Sequence, residues 1–139
     1  MKPIAELARP FRPIELSSGT LASFELPALA GALRGQEEYE RTGVAAVTLA
    51  RDDHVTLVLV ALRRGDAMRE HRAPSAGSVV VLSGRIAFSR SGGAQPERTE
   101  LAAGGLVAFA ADVPHSVEAL EDAAYLVAIG GRTRPAGAA

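Results

Sequence analysis

Cysteine and tryptophan are absent from this 139-residue chain. The first absence excludes disulfides, thiolate metal sites and a cysteine nucleophile, and it is compatible with a reducing compartment. Lysine is nearly absent as well: Lys2 is the only one, and arginine supplies the other basic side chains. An excess of either charge is also missing, with 15 basic against 16 acidic residues and a formal net charge of −1. That balance leaves no electrostatic footprint for nucleic acid or for an anionic membrane surface. Aromatic residues make up only 4% of the chain, so a core has to come mainly from aliphatic side chains. No apolar run approaches the roughly 20 residues of a membrane-spanning helix. Met1-Lys2-Pro3-Ile4 does not lead into an apolar signal core, and Pro10 and Pro13 interrupt the next stretch of chain. A soluble, cytoplasmic protein is the expectation.

The residues that are present in quantity are aliphatic and β-branched. Hydrophobic residues reach 47%, well above what a disordered chain carries. The length suits one domain, with enough chain to bury a core without staples. Residues 1–22 hold Pro3, Pro10, Pro13 and Gly19 and read as an extended arm. Pro27 suits the first turn of a helix, with Ser23 as a cap upstream and Leu29 and Leu33 on its apolar face. Residues 36–41 add a charged helical turn that Thr42-Gly43 ends.

Beyond Gly43 the texture is strand and turn. Strands are expected over 44–51, 54–62, 67–73, 78–83, 85–90, 98–102, 106–110, 114–119 and 123–129, separated by glycine, proline and aspartate turns. Short strands at this spacing indicate a sandwich or barrel. Runs such as Val79-Val80-Val81-Leu82 are apolar on both parities. They imply strands covered on both faces, by a flanking helix or by a second copy of the chain. The chain thus divides into an arm and short helix over 1–43, a β-barrel over 44–130 and a loose tail over 131–139.

The three histidines are His54, His71 and His115. His54 falls near a strand end, where a surface role is the simpler reading. The other two sit in recognisable frames. In the first, Gly65 is followed by five residues, His71, and then a second glycine, Gly84, that closes the next strand. In the second, Gly104-Gly105 feeds a short apolar strand, and Asp112-Val113-Pro114-His115-Ser116-Val117 begins the returning one. Together these frames resemble the two motifs of the cupin superfamily, over roughly residues 44–129. The resemblance implies an all-β fold, a double-stranded β-helix (jelly-roll, RmlC-like) barrel with a short N-terminal helical segment. It further implies a homodimer and a central pocket.

In metal-bearing cupins the first motif supplies two histidines and a glutamate, and the second supplies another histidine. Here His71 and His115 match, while the other two positions are Ala73 and Gly77, whose side chains cannot bind a metal. The resemblance still admits a divalent metal (Fe, Mn, Ni or Zn) on His71 and His115. Alternation along the strands turns Arg69 inward with His71, and adds Ala73, Gly77, Val79 and Val81 to a small, mainly apolar lining. An inward Arg69 could hold a carboxylate or phosphate; the competing reading places it at the rim, in water. Glu70 points the other way unless a bulge shifts the register.

Two functions stay open on this reading, beside a third in which the N-terminal arm and the two-sided apolar strands chiefly serve dimerisation. One is a barrel that binds a small molecule with an incomplete or absent metal centre. The other is a metal-dependent enzyme, a dioxygenase or isomerase, using a reduced two-histidine site. Neither nucleic acid nor membrane is an expected partner.

Overall fold

Pro27 in the first turn and Gly43 after the last bracket the helical part of the chain. In the computed structural model, which describes residues 12–92, 94 and 97–130, helix α1 spans Leu26–Arg34 and α2 spans Glu37–Thr42. The cap of α1 is Glu25, not Ser23, and its side chain makes no capping hydrogen bond. Proline suits this helix start because its missing N–H has no intrahelical partner there anyway. The first part of the expected arm and the whole expected tail lie outside the described residues. The described part of the arm contributes β1, Ile14–Glu15, which pairs in parallel with Ala50 and Arg51.

The nine remaining strands follow the sequence pattern closely. They are β2 (Val44–Arg51), β3 (Val55–Leu62), β4 (Ala67–His71), β5 (Gly77–Ser83), β6 (Arg85–Arg90), β7 (Glu97–Ala102), β8 (Leu106–Phe109), β9 (His115–Ala119) and β10 (Ala123–Gly130). They form two sheets, one ordered β1-β2-β3-β10-β5-β8 and the other β4-β9-β6-β7. From β3 onward the chain crosses to the other sheet at every connection except the β6–β7 hairpin. Residues distant in sequence therefore meet in the interior, in jelly-roll fashion.

Apolar burial occurs in two layers. Val60, Leu62, Val81, Ile86, Phe88, Val117 and Tyr125 pack between the sheets. Leu29, Leu33 and Tyr39 of the helices pack on Leu49, Leu59 and Ala61 of the larger sheet's outer face. The two-sided apolar character of β3 is therefore explained within one chain, by helices covering the face turned away from the smaller sheet. No helix of the described residues is long and apolar enough to cross a membrane.

Candidate functional site

The interior between the sheets is not filled to the end. A cavity of about 150 Å³ remains, with His71, Ala73, Val79, Phe88, Phe109, His115 and Tyr125 among its lining residues. The strand period explains the company: Val58 and Val60 of β3, and Tyr125, Val127 and Ile129 of β10, line it at every second residue.

His71 and His115 are brought together by direct pairing of β4 with β9, where they face one another in register. Their ring centroids lie 4.2 Å apart with the planes inclined by 63°. His71 is exposed at the mouth, whereas His115 is 3% exposed. Each ring is anchored in the same way. His71 Nδ1 lies 2.9 Å from the Arg69 carbonyl oxygen, and His115 Nδ1 lies 2.8 Å from that of Val113. A carbonyl oxygen can only accept, so Nδ1 donates in both cases and carries the proton. The neutral rings consequently present an Nε2 lone pair at their far edge.

The turn before His115 is fixed by its backbone. Asp112 adopts φ +62°, a left-handed conformation that aspartate tolerates better than most residues. Its N–H donates to the Ala73 carbonyl at 2.9 Å, which ties this turn to the end of the β4 segment. Burial lowers the His115 pKa below the ordinary histidine value, and the neighbouring His71 lowers it further, against an opposing contribution from the Val113 hydrogen bond. Burial also pushes the Tyr125 hydroxyl well above its ordinary range, with no hydrogen bond or charge to offset the desolvation.

Arg69 does not face the cavity. It is exposed, because the β4–β9 ladder shifts register between Met68 and His71. Met68 and His71, three residues apart, both line the cavity, so the irregularity breaks the alternation that would have carried Arg69 inward. Glu70 is also exposed, and its carboxylate accepts a hydrogen bond from the Ser91 hydroxyl. Val81 shares the inward parity of Val79 but is 1% exposed within the closed core, away from the cavity lining. His54 is exposed in the β2–β3 turn, where its N–H donates to Asp52 Oδ1 at 2.7 Å. Ser83, Ser116 and Thr56 are absent from the lining, and Glu118, Glu121 and Asp122 are exposed.

Gly77 requires a separate account. It pairs across the ladder with Phe109. A Cβ at position 77 would stand 2.9 Å from Phe109 Cζ, 3.0 Å from Phe109 Cε2 and 2.9 Å from the Ala128 carbonyl oxygen. The Phe109 ring thus occupies the space into which any side chain at 77 would enter. The same ring packs on His115 with centroids 4.7 Å apart, and Phe88 packs on His115 at 5.0 Å with planes only 16° apart. Sequence reasoning misses Phe88 and Phe109; their place at the site depends on pairings between β6, β8 and β9 and their neighbours that no local pattern reveals.

These residues do not complete a metal site. Among the described residues no group of three or more histidine, aspartate or glutamate side chains is placed to hold a metal ion. Two imidazoles fall short of the roughly three or four protein ligands that a zinc site uses. Position 73 offers only a methyl group, and an aromatic ring covers position 77.

Neither a protein-family model nor a curated protein sequence matches the chain. Solved structures do. A cupin superfamily protein from Desulfitobacterium hafniense superposes with a TM-score of 0.64 at 17% identity, covering 81% of this chain and 94% of that one. KdgF from Halomonas sp. gives 0.57 at 21% identity over 65% and 82% of the two chains. Oxalate decarboxylase from Bacillus subtilis, a protein with Mn(II) centres, gives 0.56 at 18% identity over 68% of this chain and 26% of that one. With its two-sheet jelly roll, its interior cavity and these structural neighbours, the chain has the fold of the cupin superfamily.

Proposed function

We propose that this barrel binds a small, largely apolar molecule between its sheets, without a complete metal centre. The observation that carries the reading is the cavity of about 150 Å³, walled by aliphatic and aromatic side chains and polar only at His71, His115 and Tyr125 among the described residues. Apolar cavities of roughly that size stay dry and take up a benzene-sized guest. Drug-sized ligands need about 300 Å³ or more, so nucleotides and oligosaccharides are too large for the cavity as it stands. Fold alone supplies no reaction, and no described serine or carboxylate within the lining offers a nucleophile.

Toluene is a suitable first probe, because it matches the volume and asks nothing of the polar groups. At about one hundred times its Kd it should raise the melting temperature by on the order of 10 °C. Ala73→Leu and Val79→Leu, which each push methyl or methylene groups into the cavity, should weaken that response. No stabilisation of the native protein by toluene or by any other single-ring probe of that size, at any attainable concentration, would sink the proposal.

The second reading, a metal-dependent enzyme with a reduced two-histidine site, draws support from the paired Nδ1–carbonyl hydrogen bonds, which leave both Nε2 atoms available. Near-stoichiometric metal in protein purified without chelators, lost in the His71→Ala, His115→Ala double variant, would favour it over the first. Homodimerisation is part of the proposal as well. A mass twice that of the 14.4 kDa chain by light scattering would support it.

A further inference from the structure

The polar groups of the cavity are arranged asymmetrically with respect to hydrogen bonding. The Nδ1 proton of His115 is committed to the Val113 carbonyl at 2.8 Å, and that of His71 to the Arg69 carbonyl at 2.9 Å. Each neutral ring therefore offers a guest an acceptor. In His115 that acceptor belongs to a residue only 3% exposed that lines the cavity. Its ring packs on Phe88 and Phe109, at 5.0 and 4.7 Å between centroids, and meets His71 edge to face.

The charged groups nearby do not serve the cavity. Arg69 is exposed beyond the bulge, and no described arginine or lysine lines the space. Arg90 faces a neighbouring pocket, with its Nη2 3.3 Å from Glu97 Oε1. An anionic guest would lose its hydration without meeting a fixed cation, which is strongly unfavourable in an apolar enclosure. A purely apolar guest would leave the His115 lone pair without a partner after displacing water. A neutral guest with one donor avoids both costs, and a flat ring suits walls built partly from aromatic rings.

We infer that the cavity selects a neutral, single-ring aromatic hydrogen-bond donor of the phenol class, whose hydroxyl donates to His115 Nε2. This inference rests on the proposed role of the cavity as a binding site and specifies its ligand. The Tyr125 side chain, on the same lining, brings a second hydroxyl to the space, one that burial keeps protonated and able to donate to the guest's oxygen.

The test is calorimetric titration of the full-length protein at pH 7.5 with phenol, toluene and benzoate. Phenol should bind about tenfold more tightly than toluene, which is the ratio expected from one hydrogen bond to an otherwise unpaired buried acceptor. Benzoate should bind more weakly than either. His115→Phe keeps a ring in the stack but removes the acceptor. It should bring phenol to the level of toluene while leaving toluene nearly unchanged. Should that variant not fold, His115→Gln, which replaces the ring acceptor with an amide, should still narrow the phenol–toluene ratio. Equal affinities for phenol and toluene in the native protein would overturn the inference and leave the binding site standing. Tightest binding of benzoate would overturn it in favour of a cationic site. Failure of all three probes to bind would remove the proposed function itself.

Discussion

At the scale of single residues, His115 couples the site to the stability of the fold. Burial, the largest influence, lowers its pKa in the folded state, and His71 adds to that effect. The unfolded chain keeps the ordinary value of about 6.5. Above that pH neither state is protonated at this residue, and its full contribution to stability is present. As pH falls through about 6.5 the unfolded state takes up a proton first, so stability declines until the folded pKa is reached. One such group changes the unfolding free energy by at most about 1.4 kcal/mol per pH unit. Urea midpoints measured from pH 8 down to pH 5 should therefore fall below about pH 6.5. His115→Gln should flatten that part of the curve, whatever it does to the midpoint at pH 8. A native and a variant curve with the same slope between pH 6.5 and 5 would count against the assignment.

At the scale of elements, one of the turns that join the two sheets is more demanding than its sequence suggests. Gly84 links β5 of the larger sheet to β6 of the smaller one with φ +75°, and an added Cβ would stand 2.0 Å from the Asp122 carbonyl oxygen and 2.8 Å from Ala123 Cα. The obstacle is backbone, which cannot swing aside as a side chain could. Gly84→Ala should cost about 2 kcal/mol or more, from the unfavourable φ and from the displaced β9–β10 turn. A shift of the urea midpoint corresponding to less than about 0.5 kcal/mol would show that the turn relaxes freely. The strands themselves are legible from turn residues and β-branched runs, because both signals are local. The partner of β3's outer face is legible only as a choice between a helix and a second copy. The irregularity in β4 is legible only as an open alternative: Ala67 to His71 reads as an ordinary alternating strand, and whether a bulge breaks it is set by pairing with β9. For that reason alternation points Arg69 inward while it stands outside. His71 and His115 are found because each sits in a recognisable frame, whereas Tyr125, on a strand that reads as plain core, gives no signal.

At the scale of the whole molecule, a second space adjoins the cavity between the sheets. Beside the cavity of about 150 Å³ lies a pocket of about 240 Å³ that Arg90, Glu97 and Thr99 make more polar. Phe88 and Phe109 line both, with ring centroids 5.9 Å apart and planes inclined by 18°. They act as a shared wall. Phe88 is 5% exposed and held in β6 at the centre of the smaller sheet. Phe109 ends the four-residue edge strand β8 and is only partly buried, so it is the more dispensable half of the wall. Phe109→Ala should cost about 3 kcal/mol in stability, toward the lower end for a buried aromatic side chain, and it should join the two spaces. The same substitution uncovers Gly77, since the ring that crowds position 77 is removed. The joined space should admit a two-ring guest that the intact wall excludes. Fluorescence titration with 2-naphthol is a direct measure, with weak or no binding expected in the native protein and saturable binding in the variant. If the native protein binds 2-naphthol as tightly as the variant does, the wall does not set ligand size and the cavity has no single-ring limit; if neither protein binds it, the limit is set instead by the aliphatic lining contributed by β3 and β10.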